Sequence, residues 1–209
     1  MAMTRNTDFG PERRLAAVLA ADMVGFARLI ELQETALLAR QKLHRTELIA
    51  PQIAANRGRI VKTSGDGMLV EFSSARDAVR CAIDIQTGMI SREAGQPPDR
   101  RIQYRIGINI GDVILDDGDI FGDGVNVAAR LEQLAEPGGV CISSMVHQTV
   151  TDGIAEPFRD LGRQRVKNIA RPIGVWQWTA DPPARPDVPA MSKQQHVQFC
   201  SSADGTQIA

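Results

Sequence analysis

The stretch from Tyr104 to Leu115, YRIGINIGDVIL, places an apolar residue at every second position of its first half. Alternation of this kind is typical of a β-strand with one face buried. Gly107 and Gly111 fall on the other face, where glycine marks strong twist, a bulge or a neighbour that approaches closely. The chain is therefore expected to build its core around a sheet that contains this strand.

The segments before this strand alternate between strand and helix patterns. Apolar residues spaced three and four apart predict helices, and short apolar runs bounded by turn residues predict strands. Proline inside a helical pattern kinks or interrupts the helix. The predicted elements are a strand at 16–21, a helical region over 24–56 that Pro51 interrupts, a hairpin over 60–72 and a helix that starts at Ser74.

The segments after this strand predict further elements of both kinds. They are a short strand, a glycine turn and a helix from Asp119, a strand in PGGVCIS, a short helix near 145–150, and strands at 158–166 and 174–179. The complete order predicts an α+β fold, with a ferredoxin-like βαββαβ core and added C-terminal αβ and β-hairpin elements.

Net charge and cysteine content limit the partners and the cellular compartment that are expected for this chain. Lys and Arg total 24 against 25 Asp and Glu, so a net charge of -1 provides no broad attraction for nucleic acid or an anionic membrane. Any phosphate site must be local. The three cysteines are odd in number and lack metal-ligand spacing, which favours a reducing compartment. Because no apolar segment has signal-peptide character, a cytoplasmic chain is expected.

The chain is predicted to divide into four segments. Residues 1–14 are predicted to be an N-terminal extension, and 15–180 the folded domain. Residues 181–195 are proline-rich and predict a linker. Residues 196–209 resemble the opening strands of an α/β-hydrolase domain, although no G-x-S-x-G motif follows. This resemblance implies that a further domain starts there.

Two aspartates have a candidate chemical role that depends on the fold. Asp22 ends the first predicted strand and Asp66 lies at the tip of the hairpin, and these strands are neighbours in a ferredoxin-like sheet. Two converging carboxylates suit Mg²⁺ or Mn²⁺ held together with substrate phosphates. Alternatively, Asp22 caps the next helix and Asp66 fills an Asp-Gly turn. Glu71 and Glu132 are expected to be ordinary carboxylates of a strand and a helix.

Four separated motifs decide between these interpretations. The segments AADMVGFARL, IVKTSGDGMLVEF, GDIFGDGVNVAARLE and RVKNIARPIGVWQW occur in that order between Leu15 and Thr179. Together they resemble the catalytic domain of class III nucleotidyl cyclases. The resemblance implies that Asp22, Asp66 and the backbone carbonyl of Met23 hold two divalent metal ions. It also implies displacement of pyrophosphate from the α-phosphate by the ribose 3′-hydroxyl, with the two metals serving the attacking and leaving oxygens.

The same resemblance assigns roles to residues that bind substrate. Lys62 and Asp119 would read the purine, since a donor and an acceptor match N1 and the exocyclic amine of adenine, whereas guanine reverses the pattern. On their own, a solvated hairpin lysine and a turn carboxylate would be the simpler interpretations. Asn126 and Arg130, four residues apart on one helix, would orient the ribose and stabilise phosphoryl charge. Lys167 would bind the β and γ phosphates.

Class III cyclase domains work as head-to-tail dimers, so the resemblance further implies a homodimer. One protomer would supply the metal carboxylates, and its partner the base-reading and transition-state residues. The expected activity is adenylate cyclase, acting on ATP. Two alternatives stay open: guanylate cyclase, and a non-catalytic nucleotide-sensing or dimerisation module that regulates a fused hydrolase-like domain.

Overall fold

The structure is a computed structural model that describes residues 12–151, 153–167, 169 and 171–180. Most of the predicted extension, the linker and the hydrolase-like start lie outside the described residues. The strands are β1 (Glu12–Met23), β2 (Arg59–Ser64), β3 (Gly67–Phe72), β4 (Tyr104–Asp116), β5 (Asp119–Phe121), β6 (Val140–Ser143), β7 (Arg159–Gln164) and β8 (Ile173–Trp178). The α-helices are α1 (Phe26–His44), α2 (Ala50–Ala55), α3 (Ala75–Glu93), α4 (Asp123–Leu134) and α5 (Ser144–Val150).

The strands form one sheet in the order β2-β3-β1-β4-β6-β8-β7, with β5 paired to β4. The two central strands, β1 and β4, are antiparallel and pair along the whole of β1, from Glu12 opposite Leu115 to Met23 opposite Tyr104. This arrangement confirms the predicted α+β fold. It also brings the end of β1 and the β2–β3 hairpin to the same part of the sheet.

The two faces of the sheet are covered by different helices. Apolar residues of α1, α2, α3 and α5 pack on one face, around a core that includes Leu19, Phe72 and Ile106. Helix α4 covers the other face, where Ala128 packs against Val18 and Val113. Burial of these side chains is the main stabilising contribution, at roughly 25 cal/mol per Å² of apolar surface.

Helix α4 lies unusually close to β4 because two positions of the strand are glycine. A Cβ atom at Gly107 would overlap backbone atoms of Ala128 and Glu132, and one at Gly111 would lie 2.8 Å from the Cα of Gly124. The glycines of the YRIGINIGDVIL stretch thus mark a closely approaching neighbour, one of the three meanings that the sequence allowed.

The long helical region predicted over 24–56 is divided in the structure. Helix α1 contains a non-helical residue at Gln33, and a π-helical segment, Arg45–Ile49, separates it from α2. Pro51 lies in the first turn of α2, where its missing N–H costs no helical hydrogen bond. Strand β1 is longer than the predicted 16–21. Among the described helices, none has the length and apolar character needed to span a membrane.

Candidate active site

The predicted pair of aspartates meets in the structure. Asp22 is the penultimate residue of β1, and Asp66 lies in the turn between β2 and β3. Their carboxyl groups are within hydrogen-bonding reach of each other. Gly67 allows this approach, because a Cβ there would lie 3.3 Å from Oδ1 of Asp22. Met23, whose carbonyl is the third expected ligand, follows Asp22 directly as the last residue of β1.

The charge of this pair is poorly compensated within the chain. Burial and the neighbouring Asp66 carboxylate raise the pKa of Asp22 above its ordinary value, while the N–H of Met23 and the guanidinium of Arg105 act in the opposite direction. Two close carboxylates that resist joint ionisation are stabilised by a cation between them. The electrostatics of the pair therefore fit a divalent metal.

The number of protein ligands also fits such a metal. Within the described part of the chain, no group of three or more His, Cys, Asp or Glu side chains could enclose an ion. Mg²⁺ is usually held by one or two carboxylates and completes its octahedral sphere with water and substrate phosphates. Asp22, Asp66 and the Met23 carbonyl form a ligand set of this open type.

The turn that carries Asp66 is anchored by helix α1. Gly65 adopts a left-handed conformation with φ 58°, which a residue with a side chain rarely adopts. Its carbonyl accepts hydrogen bonds from Nε2 of Gln41 at 3.2 Å and from Arg45 at 3.3 Å. These two contacts tie the turn that carries Asp66 to helix α1.

Sequence reasoning missed an arginine beside the carboxylates. Arg105 of β4 is the register partner of Asp22, and its Nε is buried with no hydrogen-bond partner among the described residues. A guanidinium whose Nε is unpartnered, beside two carboxylates that are candidate metal ligands, is suited to phosphate oxygens, which a guanidinium can bind in a bidentate manner. The available signal was an arginine within a strand otherwise composed mainly of apolar residues and glycine.

Glu132 is not the ordinary helix carboxylate that the sequence suggested. It is buried on the face of α4 that packs against Gly107. Burial raises its pKa from 4.5 to about 7; the carboxylates of Asp22 and Asp66 act in the same direction, and Arg105 acts against them. Glu132 therefore belongs to the same electrostatic cluster as the aspartate pair.

The raised pKa of Glu132 predicts a pH-dependent stability. A carboxyl group that binds its proton more tightly when folded stabilises the protein below the unfolded pKa, and this contribution is lost as pH rises through the folded pKa. We expect the unfolding free energy of the metal-free protein, relative to that of Glu132→Gln, to fall by about 2 to 3 kcal/mol from about pH 5 to about pH 8. Urea unfolding across this range, with EDTA present, measures the difference. Parallel curves for the two proteins would contradict this prediction.

The two predicted base-reading residues bind each other. Nζ of Lys62 on β2 donates to Oδ2 of Asp119 at 2.8 Å, and the backbone N–H of Ile120 donates to Oδ1 of Asp119 at 2.9 Å. The hydrogen bond from Lys62 is the main reason that the pKa of Asp119 lies below its ordinary value. An ammonium and a carboxylate thus lie side by side at the surface.

A β-bulge determines which way Lys62 points. Arg59 pairs with Glu71, but Lys62 pairs with Leu69, so one extra residue is inserted between Ile60 and Lys62. Because side chains alternate along a strand, this insertion brings Lys62 to the face of the sheet that Arg59 occupies. The β4–β5 hairpin with Asp119 lies against that face.

The remaining predicted residues lie on α4 and in the β7–β8 connection. Asn126 is exposed, and Arg130, one turn further along α4, is half-buried and donates to Oε1 of Gln133 at 2.9 Å. Lys167 is exposed in the connection between β7 and β8. Ile169 and Arg171 of this connection line a cavity of about 590 Å³ together with Asp123 and Gly124 at the start of α4.

Comparison with known proteins identifies the family to which this arrangement belongs. The sequence profile described as "Adenylate and Guanylate cyclase catalytic domain" matches residues 12–175, which is nearly the whole described part of the chain. The chain belongs to this cyclase family. The class III cyclase resemblance of the sequence motifs is thereby confirmed.

Individual relatives of this cyclase domain agree with the assignment. A protein of Rhizobium meliloti (strain 1021) named "Putative adenylate cyclase 3" is 48% identical over 177 residues, which are 83% of this chain and 30% of the relative. The crystal structure of the "Adenylate/Guanylate Cyclase/Hydrolase" from Silicibacter pomeroyi is 62% identical, with a TM-score of 0.78, and matches 82% of this chain and 100% of that chain. The adenylyl cyclase CyaB from P. aeruginosa is 27% identical, with a TM-score of 0.71, over 81% of this chain and 95% of that chain.

The cyclase domain is shorter than the curated relatives that it matches. It spans 30% of the Rhizobium meliloti relative and 41% of a 29% identical protein of Mycobacterium bovis. Family membership therefore concerns the catalytic domain, and the activity of a whole protein is a separate matter.

Proposed function

We propose that the chain is an adenylate cyclase, which converts ATP to 3′,5′-cyclic AMP and pyrophosphate at a site shared by two copies. The observation that carries this proposal is the contact between Lys62 and Asp119. Their 2.8 Å hydrogen bond holds one donor and one acceptor side by side on an exposed face. The aspartate pair of Asp22 and Asp66 supports the metal-dependent part of the reaction.

The chemistry of this contact favours adenine over guanine. Adenine offers an acceptor at N1 and a donor at its exocyclic N6 amine, which complement the ammonium of Lys62 and the carboxylate of Asp119. Guanine offers a donor at N1 and an acceptor at O6, so each of its groups would face a like group. Guanylate cyclase activity is accordingly the less favoured alternative.

The proposed reaction is an in-line displacement at the α-phosphorus. The O3′–P bond forms as the bond from the α-phosphorus to the α–β bridging oxygen breaks, the 3′-hydroxyl proton passes to solvent water, and pyrophosphate leaves with the electron pair of the broken bond. Bound Mg²⁺ or Mn²⁺ at Asp22 and Asp66 would supply Lewis acidity to the hydroxyl and the triphosphate. Arg105 and Lys167 would bind phosphate oxygens, Asn126 would orient the ribose, and Arg130 would stabilise the charge that develops at phosphorus.

The proposed site is composite. Asp22, Asp66 and Arg105 would come from one protomer. Its partner would supply the five other substrate-binding residues, which are Lys62, Asp119, Asn126, Arg130 and Lys167. The exposure of Asn126 and Lys167 is consistent with contact to a second copy. A head-to-tail pair in which every chain carries both halves forms two equivalent sites by two-fold symmetry.

A second candidate function concerns regulation of an attached domain. The name of the Silicibacter pomeroyi protein combines "Cyclase" and "Hydrolase", and residues 196–209 of this chain resemble the opening strands of an α/β-hydrolase domain. In this alternative, the cyclase domain would bind nucleotide and control a fused hydrolase-like domain.

The proposed location of the chain is the cytoplasm, because ATP and reduced cysteines both occur there.

Substitution of Lys62 tests the proposed activity and its selectivity together. We expect the parent protein to form cyclic AMP from ATP and to use GTP poorly, and Lys62→Met to lose about 10²-fold in kcat/KM for ATP with a smaller loss for GTP. The matched control is Lys42→Met on the exposed side of α1. Product analysis by chromatography measures all three proteins with both nucleotides. Tight ATP binding without turnover by the parent would favour the regulatory alternative.

A further inference from the structure

A buried carboxylate on the sheet organises two arginines close to the proposed purine site. Glu71 of β3 is 6% exposed, so its charge requires compensation. Arg14 of β1 contacts Oε1 of Glu71 at 2.6 Å. Arg59 of β2 donates to Oε2 through Nε at 3.1 Å and through Nη2 at 2.8 Å. Glu71 is therefore not the ordinary strand carboxylate that the sequence suggested.

Arg59 makes one more contact, and this contact is to the β4–β5 turn. Its Nη1 donates to the carbonyl oxygen of Gly118 at 3.0 Å, across 59 positions of sequence. Glu71 holds one edge of the guanidinium, so the remaining nitrogen is aimed at the turn. Arg14, by comparison, contacts the other carboxylate oxygen of Glu71, Oε1.

The turn that Arg59 contacts carries the base-reading carboxylate. Asp117 and Gly118 have φ angles of 47° and 82°, so the two-residue connection between β4 and β5 has the positive φ values of a tight hairpin turn. Asp119 follows directly and pairs with Asp116. Because β5 has only three residues, the hairpin has few ladder hydrogen bonds of its own. Contacts with β2 therefore add to pairing with β4 in holding the hairpin.

Two hydrogen bonds join this hairpin to β2, and they differ in whether a bound purine would compete with them. The hydrogen bond between Lys62 and Asp119 joins the two groups proposed to bind the purine, so a bound base competes with it. The bond from Arg59 to Gly118 uses a backbone carbonyl that the base does not need. Arg59 can therefore hold the turn while Lys62 and Asp119 engage the substrate.

We propose that Arg59, oriented by Glu71, is a positioning residue that sets nucleotide selectivity by fixing the β4–β5 turn and hence Asp119. The inference deepens the proposed function and rests on it, because it assumes that Asp119 reads the purine. Arg59 itself touches no reacting atom. Its effect passes through the Gly118 carbonyl to the adjacent carboxylate.

The chain provides a matched pair of variants that separates this role from simple charge compensation. In Arg59→Lys, the ammonium can pair with Glu71 but lacks the planar fork that contacts Glu71 and Gly118 at once. In Arg14→Lys, the pairing with Glu71 is altered in the same chemical way, but the turn keeps its contact. Only the first variant should change selectivity.

We expect Arg59→Lys to raise KM for ATP about five- to tenfold, to change kcat by less than about threefold, and to lower the ATP-to-GTP ratio of kcat/KM by about tenfold. Arg14→Lys should retain the parent ratio. An unchanged ratio in Arg59→Lys, or an equal loss in both variants, would overturn the proposal. A parent protein without preference for ATP would instead count against the base-reading function of Lys62 and Asp119.

A second readout does not depend on turnover. The backbone N–H of Ile120 donates to Oδ1 of Asp119, so its hydrogen exchange reports the position of this carboxylate. We expect exchange at Ile120 to be about fivefold or more faster in Arg59→Lys than in the parent, and unchanged in Arg14→Lys. Equal exchange in the two variants would refute the positioning role even if no cyclase activity were found.

Discussion

Asp22→Asn is expected to lower the rate of cyclic AMP formation by about 10³-fold or more, because metal ions supply several kcal/mol of transition-state stabilisation. The amide matches the carboxyl group in size but cannot neutralise a divalent cation. The substitution therefore removes charge and leaves the packing of β1 intact. Initial rates with saturating ATP and either Mg²⁺ or Mn²⁺ measure the effect.

The same substitution has the opposite effect on the stability of the metal-free protein. Burial and the adjacent Asp66 disfavour the ionised form of Asp22, so its replacement by a neutral amide should raise the melting temperature in EDTA. Excess Mg²⁺ should then stabilise the parent but not the variant. Asp84→Asn, on the exposed side of α3, is the control. Equal cyclic AMP output from parent and Asp22→Asn would refute the metal role.

Two inactive variants are expected to regain activity when mixed. Asp22→Asn removes a proposed metal ligand, and Arg130→Met removes the group proposed to stabilise phosphoryl charge on the partner's side of the site. In a mixed dimer, one of the two sites receives both intact residues. With random exchange, about half of the dimers are mixed, so the rate should recover to about a quarter of that of the parent at the same total protein concentration.

The control for this complementation is to mix each single variant with a double variant that carries both substitutions in one chain. The double variant Asp22→Asn with Arg130→Met places both lesions in one chain and cannot complete a site with either single variant. Recovery should also increase with protein concentration, since assembly precedes catalysis. Mixtures that stay inactive at every concentration, although light scattering shows mixed dimers, would exclude the composite site.

Local sequence patterns predicted the helices and strands in which buried residues recur with the helical or the strand period. The helix expected from Ser74 begins after that residue as N-cap, with the Ser74 hydroxyl accepting from the N–H of Asp77. Strand β4 extends only one residue beyond its predicted end. Residues 12–14 of β1 are polar and exposed, so no apolar pattern marked them as strand. They are ordered by pairing with β4, which lies about a hundred residues later.

The site was predictable where a motif carries the chemistry and not where packing creates it. The motifs suggested Asp22 and Asp66 as a pair, and the structure brings these two residues together; their metal-binding role stays a prediction. Nothing local distinguishes Glu132 or Glu71 from surface carboxylates, because their burial depends on α4 and on three adjacent strands. The β-bulge before Lys62 was equally hidden, since a single inserted residue leaves the alternation of a short strand almost unchanged.

The close packing of α4 on β4 limits how the activity of the proposed cyclase dimer could be controlled. Gly107 and Gly111 let the backbone of α4 pack directly against the strand, so we expect Asn126 and Arg130 to move together with the sheet. Signals that raise or lower the output are then expected to rotate or translate entire protomers against each other. Regulation would then act through the relative orientation of the two protomers, and each protomer would move as a rigid body.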